Sequence, residues 1–318
     1  MNTENRGKTM EIEQVLKNKS VVIIGLGLMG GALAMALRKE GPDWIGAIDT
    51  DSEVLEEALD RGVIDQGEND EEGAARMLAQ ADFVYFCLYP RTAVNCFKTH
   101  MGNFKPGAVI TDITGVKQIL VDEVLPILRD DVDFIMGHPM AGSEKEGFGG
   151  ADEGIFLGRN YILVPMPQND PDHIKWLKRV IYNMGFTNIV ETTPEGHDKK
   201  IGFTSQLCHV IACALIDCKE ERHLSDFEGG SFMDLTRIAM INAPMWAELF
   251  VSNRDALLSQ IDDFENSMKI MRGMIENSDE NGLSDLMYSV RKKRVTMEID
   301  RKNRTLAIEN QFKHKESE

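Results

Sequence analysis

The chain has 318 residues, with 35 Lys and Arg against 52 Asp and Glu, a net charge of −17 at pH 7, and 42% apolar residues. That length allows about two domains with a real core, and the ordinary apolar content excludes global disorder. The acidity argues against nucleic acid or an anionic membrane as the main partner, because the summed field repels polyanions. An anionic substrate would need local basic groups working against that field. Five cysteines (Cys87, Cys96, Cys208, Cys213 and Cys218) form no CxxC pair and cannot all be bridged, so a reduced, cytoplasmic chain is expected. Cys208 and His209 lack further ligands at zinc-site spacing, and no metal is expected. The opening MNTENRGKTMEIEQ has no apolar signal core, and no stretch nears the roughly 20 apolar residues of a membrane span.

Taken in chain order, the first half alternates short β-rich runs with helical ones. Apolar runs fall at Val21–Ile24, Trp44–Ile48, Phe83–Leu88, Ala108–Ile113, Phe134–Met136, Tyr161–Val164 and Asn188–Glu191. Helix-like segments such as Gly31–Lys39, Glu53–Arg61, Lys117–Arg129 and His173–Met184 lie between them. Near-continuous apolar strands with crossover helices predict an α/β domain built on a Rossmann-type, doubly wound parallel sheet. It is expected to span residues 1–192, with 1–19 a flexible or helical lead-in. Thr192, Thr193 and Pro194 open a different texture without strands, predicting an all-helical domain over 193–318. From Pro244 to Ser278 the residues Phe250, Leu257, Ile261, Phe264, Met268, Met271 and Ile275 follow helical spacing, one apolar stripe on one long helix. The stripe suits a seam within the chain or an interface between two copies. Arg291–Arg294 (RKKR) and Arg301–Arg304 (RKNR) read as a solvated basic face on a terminal helix.

Ser20–Gly31 reads SVVIIGLGLMGG: a strand, a GxGxxG turn, then a helix. Gly25 permits the tight turn, Gly27 lets the backbone approach a pyrophosphate, and Gly30 allows close helix–strand packing. The helix starting there aims its free N–H groups and positive dipole end at the phosphates. Gly25, Leu26, Gly27, Leu28, Met29 and Gly30 are therefore candidate cofactor contacts. Asp49 ends the second strand 19 residues beyond Gly30, where an acid accepts hydrogen bonds from ribose hydroxyls and repels a 2′-phosphate. With Asp51 adjacent and no Arg nearby, NAD is expected rather than NADP.

Gly137–Phe148 reads GHPMAGSEKEGF directly after a strand, which puts His138 at a strand's carboxyl end. A neutral histidine there can take a proton from an alcohol as hydride leaves the same carbon. A lone histidine beside a proline can equally be structural. The motif resembles the substrate-site motif of the prephenate dehydrogenase family. The likeness continues through Thr111–Lys117 (TDITGVK), His197–Asp198 (HD), Thr204–His209 (TSQLCH), Gly229–Ala239 (GGSFMDLTRIA) and Pro244–Trp246 (PMW), in family order over roughly residues 20 to 265.

The resemblance implies NAD-dependent oxidative decarboxylation of prephenate to 4-hydroxyphenylpyruvate, carbon dioxide and NADH, by a homodimer joined through its helical domain. It implies His138 as the catalytic histidine at the ring hydroxyl and Arg237 as the guanidinium that grips a substrate carboxylate. His209 and Ser205 would hold the substrate's side chain, and Ser143 and Glu144 would line and gate the pocket. Gly230, Asp234 and Trp246 match positions that border the site from the partner subunit. Asp112, in TDITGVK, is counted among the cofactor contacts. From the residues alone, Arg237 could pair with Asp234, Trp246 could be core and His209 a bundle histidine. Two departures stand out. Where many members have a serine before Val-Lys, this chain has Gly115, with Thr114 next door or a water as the substitute hydroxyl for the substrate, and Gln206-Leu207-Cys208 replaces the frequent HLP. Arogenate dehydrogenase is the near alternative, since the substrates differ only in keto against ammonium. A β-hydroxyacid dehydrogenase fits the glycine turn but not the later motifs, and a non-catalytic NAD-binding regulator fits neither His138 nor Arg237. No chorismate mutase or ACT domain is expected.

Overall fold

The computed structural model describes residues 14–142, 145–218 and 224–315, with side chains throughout except at 224 and 304–315. Eight strands make one sheet: β1 (Ser20–Ile24), β2 (Trp44–Ile48), β3 (Gln66–Glu68), β4 (Phe83–Phe86), β5 (Val109–Asp112), β6 (Asp133–Pro139), β7 (Asn160–Val164) and β8 (Asn188–Glu191). Their spatial order is β3-β2-β1-β4-β5-β6-β7-β8, and every pair is parallel except β6 with β7. The chain leaves β1 first toward β2 and β3, then returns to lay β4 on the other side. That reversal is the switch point at which doubly wound sheets hold ligands, at their carboxyl edge.

Six helices cover this sheet: α1 (Leu28–Arg38), α2 (Ser52–Asp60), α3 (Glu71–Leu78), α4 (Pro90–His100), α5 (Gln118–Glu123) and α6 (Pro171–Asn183). Strand alternation decides which side chains meet which helices. Val21, Ile23 and Tyr85 face one layer with Leu33 of α1 and Leu177 of α6, whereas Val22, Ile24 and Phe86 face the other with Phe97 of α4 and Leu120 of α5. The Tyr85 and Tyr161 hydroxyls meet at 2.5 Å within the first layer. Gly137 leaves the room, because a Cβ there would collide with the Tyr161 ring.

Several expectations need correction. The helix expected over Lys117–Arg129 ends at Glu123 and gives way to a 3-10 turn at Leu125–Ile127, because Pro126 has no N–H to continue the ladder. β3 and α3 lie outside the sequence reading: β3 is three residues, Gln-Gly-Glu, with no apolar pattern to announce it. The lead-in, over its described part, is a turn pinned to the domain, with Leu16 buried and Val15 accepting a hydrogen bond from Trp176 Nε1 at 3.2 Å.

From Pro194 the described chain is helical: α7 (Pro194–Ile201), a π turn (Gly202–Gln206), α8 (Leu207–Asp217), α9 (Gly230–Thr236), α10 (Ala243–Ser252), α11 (Arg254–Glu276) and α12 (Glu280–Lys315). The single long helix expected over 244–278 is two helices, broken at Asn253. This residue is buried, and its side-chain amide donates to the Asp198 carbonyl at 2.9 Å and to Gln206 Oε1 at 2.7 Å. Its backbone leaves the helical region to aim that amide inward. The apolar stripe is covered by the chain itself only near Leu257; Met268 and Ile275 are 52% and 64% exposed. That favours an interface between copies over an internal seam for the outer part of the stripe.

Replacing Asn253 with Ala strands the buried Gln206 Oε1 and takes one of two hydrogen bonds from the Asp198 carbonyl, which keeps Gly202 N, a cost of about 1–3 kcal/mol. Urea unfolding should show a loss of that order, with the helical domain the first part to lose amide protection in hydrogen exchange.

Candidate active site

The β1–α1 turn is built as the glycines require. Gly25 has φ +89°, and a Cβ on it would press on the Cys87 carbonyl oxygen at 2.6 Å; a Cβ on Gly30 would collide with the carbonyl of Gly25. Gly27 is the opposite case, because nothing lies within 4 Å of where its Cβ would be. Two of the glycines are thus demanded by packing, while the third keeps a space open at the N-terminus of α1. That open cradle fits a pyrophosphate. Asp49 steadies the turn, its Oδ2 accepting from Leu26 N at 2.6 Å and its Oδ1 from Asp51 N at 3.0 Å. Further lone pairs remain for a ribose diol. Asp51 is occupied in capping α2, accepting from Glu53 N and Val54 N.

At the end of β5 the arrangement departs from expectation. Asp112 is wholly buried; its Oδ1 accepts from Gly137 N at 3.0 Å, and its Oδ2 accepts from Thr114 N at 2.8 Å, the Thr114 hydroxyl at 2.5 Å and Lys117 Nζ at 2.5 Å. A carboxylate so saturated inside the protein is an anchor, not a cofactor contact. The Thr114 hydroxyl is likewise spent on Asp112 and buried, so it does not stand in for a serine at the substrate. Lys117, also wholly buried, uses its remaining protons on Thr114 Oγ1 at 3.1 Å and the Gly137 carbonyl at 2.6 Å. Burial pulls its ionisation below the usual lysine value, and the Asp112 charge opposes that shift.

This knot sits directly under His138, the residue after Gly137. His138 is half-buried, with Nδ1 at 2.9 Å from Nε2 of His197; His197 Nδ1 lies 2.7 Å from Asp198 Oδ1. Burial first, then the neighbouring His197 ring and the Lys117 charge, hold the His138 imidazole well below the ordinary histidine range. His138 is therefore neutral at pH 7. Neither Lys117 nor the His197–Asp198 pair was assigned a role from sequence, although both stand in motifs quoted there; only the fold brings residues 112, 117, 138 and 197 together.

Ser205 lies in the π turn, an irregularity that often marks functional segments. Its carbonyl accepts a hydrogen bond from His209 Nδ1 at 2.9 Å. The His209 ring stacks on Trp246, centroids 3.5 Å apart, and burial lowers its ionisation. Trp246, matched by resemblance to a position that borders the site from a partner subunit, here covers a histidine of its own chain. The segment Arg237–Ala239 packs against α8, which carries His209; Arg237, Asp234 and Gly230 are exposed on the single chain. Ser143 and Glu144 lie outside the described residues. Leu249 of α10 fills the space beside Gly115, 3.1 Å from where a Cβ would stand.

Comparison with known proteins gives one family for both halves. A family model described as "Prephenate dehydrogenase, nucleotide-binding domain" matches residues 33–190, and one described as "Prephenate dehydrogenase, dimerization domain" matches residues 193–289. A prephenate dehydrogenase of Bacillus subtilis (strain 168) is 30% identical over 273 residues, 83% of this chain and 72% of that protein. The crystal structure of prephenate dehydrogenase from A. aeolicus, in complex with hydroxyphenyl propionate and NAD+, is 31% identical with a TM-score of 0.81, covering 89% of this chain and 99% of that one. Synechocystis arogenate dehydrogenase is 25% identical with a TM-score of 0.75, covering 86% and 98%.

The glycine turn yields a paired test. Gly30→Ala overpacks the turn and should cost about 1–3 kcal/mol in thermal or urea unfolding. Gly27→Ala should leave stability within about 0.5 kcal/mol yet weaken NAD binding measured by titration, since the methyl would occupy the open cradle.

Proposed function

We propose a reaction for a chain that belongs to the prephenate dehydrogenase family: oxidative decarboxylation of prephenate to 4-hydroxyphenylpyruvate, carbon dioxide and NADH. The carrying observation is His138, a desolvated neutral imidazole at the carboxyl end of β6 and beside the glycine turn's edge of the sheet. NAD, when bound, is the hydride acceptor. The ring hydroxyl of prephenate gives its proton to His138 as hydride leaves the carbinol carbon, forming a ring ketone. The bond from C1 to its carboxylate then breaks, its electron pair enters the ring, and the resulting phenolate recovers the proton from His138. Charge and protons balance without further reagents, and aromatisation drives the step. The chain's own work is to position groups and to move one proton out and back.

Arg237 suits a substrate carboxylate through two parallel hydrogen bonds, supported by the place of its segment against α8, the helix of His209. The prephenate reading stands ahead of arogenate because the relatives of 30% and 31% identity are prephenate dehydrogenases. A homodimer through residues 193–318 follows from the dimerization-domain match together with the exposed Met233, Leu235, Met240, Met268 and Ile275; the first domain is taken to end at 192. No helix among the described residues is long and apolar enough to cross a membrane, and all five cysteines are thiols, in keeping with a cytoplasmic setting.

Replacing His138 with Asn should lower kcat by about 10²–10⁴-fold with little change in KM; unchanged turnover, followed as NADH production from prephenate, would sink the assignment. The pH profile supplies a second check. A base works when unprotonated, so activity persists above its ionisation and is lost as pH falls through it. Because burial and Lys117 lower that ionisation, the acid limb of kcat/KM should fall well below the ordinary histidine value of about 6.5.

A further inference from the structure

Asp198 is held by three donors. Its Oδ1 accepts from Lys117 N at 2.8 Å and from His197 Nδ1 at 2.7 Å, and its Oδ2 accepts from Gln118 N at 2.9 Å. Two of these are backbone N–H groups, whose direction is not negotiable, so both oxygens of Asp198 serve here as acceptors. His197 must then carry its proton on Nδ1. Its ring is wholly buried, and burial holds its ionisation below the ordinary histidine value, so its Nε2 bears a lone pair. The hydrogen bond at 2.9 Å between the two histidines thereby acquires a direction: His138 Nδ1–H donates and His197 Nε2 accepts.

We propose that His197 and Asp198 are positioning residues that lock His138 in the tautomer protonated on Nδ1, leaving Nε2 as the base. The proposal rests on the role given to His138 above and adds how that role is secured. Two other hydroxyl sources near the ring are absent or committed: Gly115 has no side chain, and the Thr114 hydroxyl is bonded to Asp112. The chain of bonds also explains how a half-buried ring can accept a proton during turnover. Positive charge arriving on His138 faces the Asp198 carboxylate through one intervening imidazole, so the transient imidazolium is compensated without a carboxylate in direct contact. Opposing it, the Lys117 charge disfavours the imidazolium and so promotes return of the proton from His138 to the substrate once the phenolate forms.

The relay also spans the two domains. His197 and Asp198 belong to α7, whereas Lys117 and Gln118 belong to the loop and helix that follow β5. The Asp198 carbonyl is bound in turn by Asn253 at the α10–α11 break. Orientation of the base therefore depends on how the helical domain seats on the sheet.

The test uses the full-length protein with ¹⁵N-labelled histidine and one-bond and long-range ¹H–¹⁵N correlation of the imidazole rings, with the His138 signals assigned by their loss in His138→Asn. The expected wild-type pattern is Nδ1–H with an unprotonated Nε2. His197→Leu should abolish that pattern and lower kcat on the order of 10²-fold, with KM for prephenate and the Kd for NAD within about twofold of wild type. His197→Gln, whose side-chain carbonyl can still accept from Nδ1–H, should recover part of both losses. Asp198→Asn presents an amide donor to His197 and should shift His138 toward the Nε2–H form, with kcat falling and the acid limb of the pH profile moving. A wild-type His138 in the Nε2–H form, or a His197→Leu protein with wild-type kcat, overturns the proposal. Should His197→Leu fail to fold, the wild-type ring pattern and the Gln and Asn variants decide. Absence of turnover with both prephenate and arogenate would instead overturn the reaction, and the ring pattern would still decide the tautomer.

Discussion

The buried Lys117–Asp112 pair is the constraint on which the rest of the site depends. Both side chains are fully shielded from water at a separation of 2.5 Å. Desolvating two charges costs several kcal/mol, so such a pair persists only where further hydrogen bonds satisfy what remains. Here they do: Thr114 supplies a hydroxyl and an N–H, Gly137 an N–H and a carbonyl. The result ties the loop after β5 to the last residues of β6, and so fixes at once the backbone carrying His138 and the N–H groups of Lys117 and Gln118 that meet Asp198. Removing one partner alone would leave an uncompensated buried charge, a loss of about 3–5 kcal/mol.

Directional polar contacts fit the helical domain to that platform. Lys117 N and Gln118 N donate to Asp198 at 2.8 and 2.9 Å, His138 meets His197 at 2.9 Å, and Glu248 of α10 accepts from Arg91 N at the start of α4 at 2.7 Å. Asn242 reaches Glu146, four residues beyond Gly142, at 3.1 Å. Directional bonds of this kind specify one seating, because each is lost if the domains slide by an ångström. The large apolar side chains are left on the outside instead. A chain that spends its polar groups on internal register and its methionines on the surface is built to meet a second copy.

Charge deserves a more local reading than the net −17 allows. Around His138 the nearest charges balance: Lys117 with Asp112, and Asp198 against backbone N–H groups. The imidazole therefore responds to burial and geometry before it responds to the acidity of the whole chain. In the proposed reaction, capture of a dianion is assigned to exposed groups such as Arg237, working against an unfavourable distant field that salt screens.

Much of the fold was legible without coordinates because its signals are local. Four buried apolar residues in a row followed by Gly-x-Gly-x-x-Gly can hardly be other than a strand entering a phosphate-binding turn, and β1, β2 and β8 lie within a residue of where they were read. Weak signals failed for equally local reasons: β3 has no hydrophobic alternation, and Pro126 truncates a pattern that periodicity would continue. The break at Asn253 was invisible since its cause, two acceptors on other helices, is not in the neighbouring sequence. The site divides the same way. His138 could be singled out from a strand-end motif, and the family likeness pointed to Arg237, His209 and Trp246. That Asp112 and Thr114 are spent inside the protein, and that His197 sits at His138, follow from contacts between residues 2 to 59 apart. By itself the sequence determined most strands of the sheet and singled out His138 as the candidate base. The tertiary structure decided which ring nitrogen is available, because a tautomer is set by its hydrogen-bond partners and those come from different strands and helices.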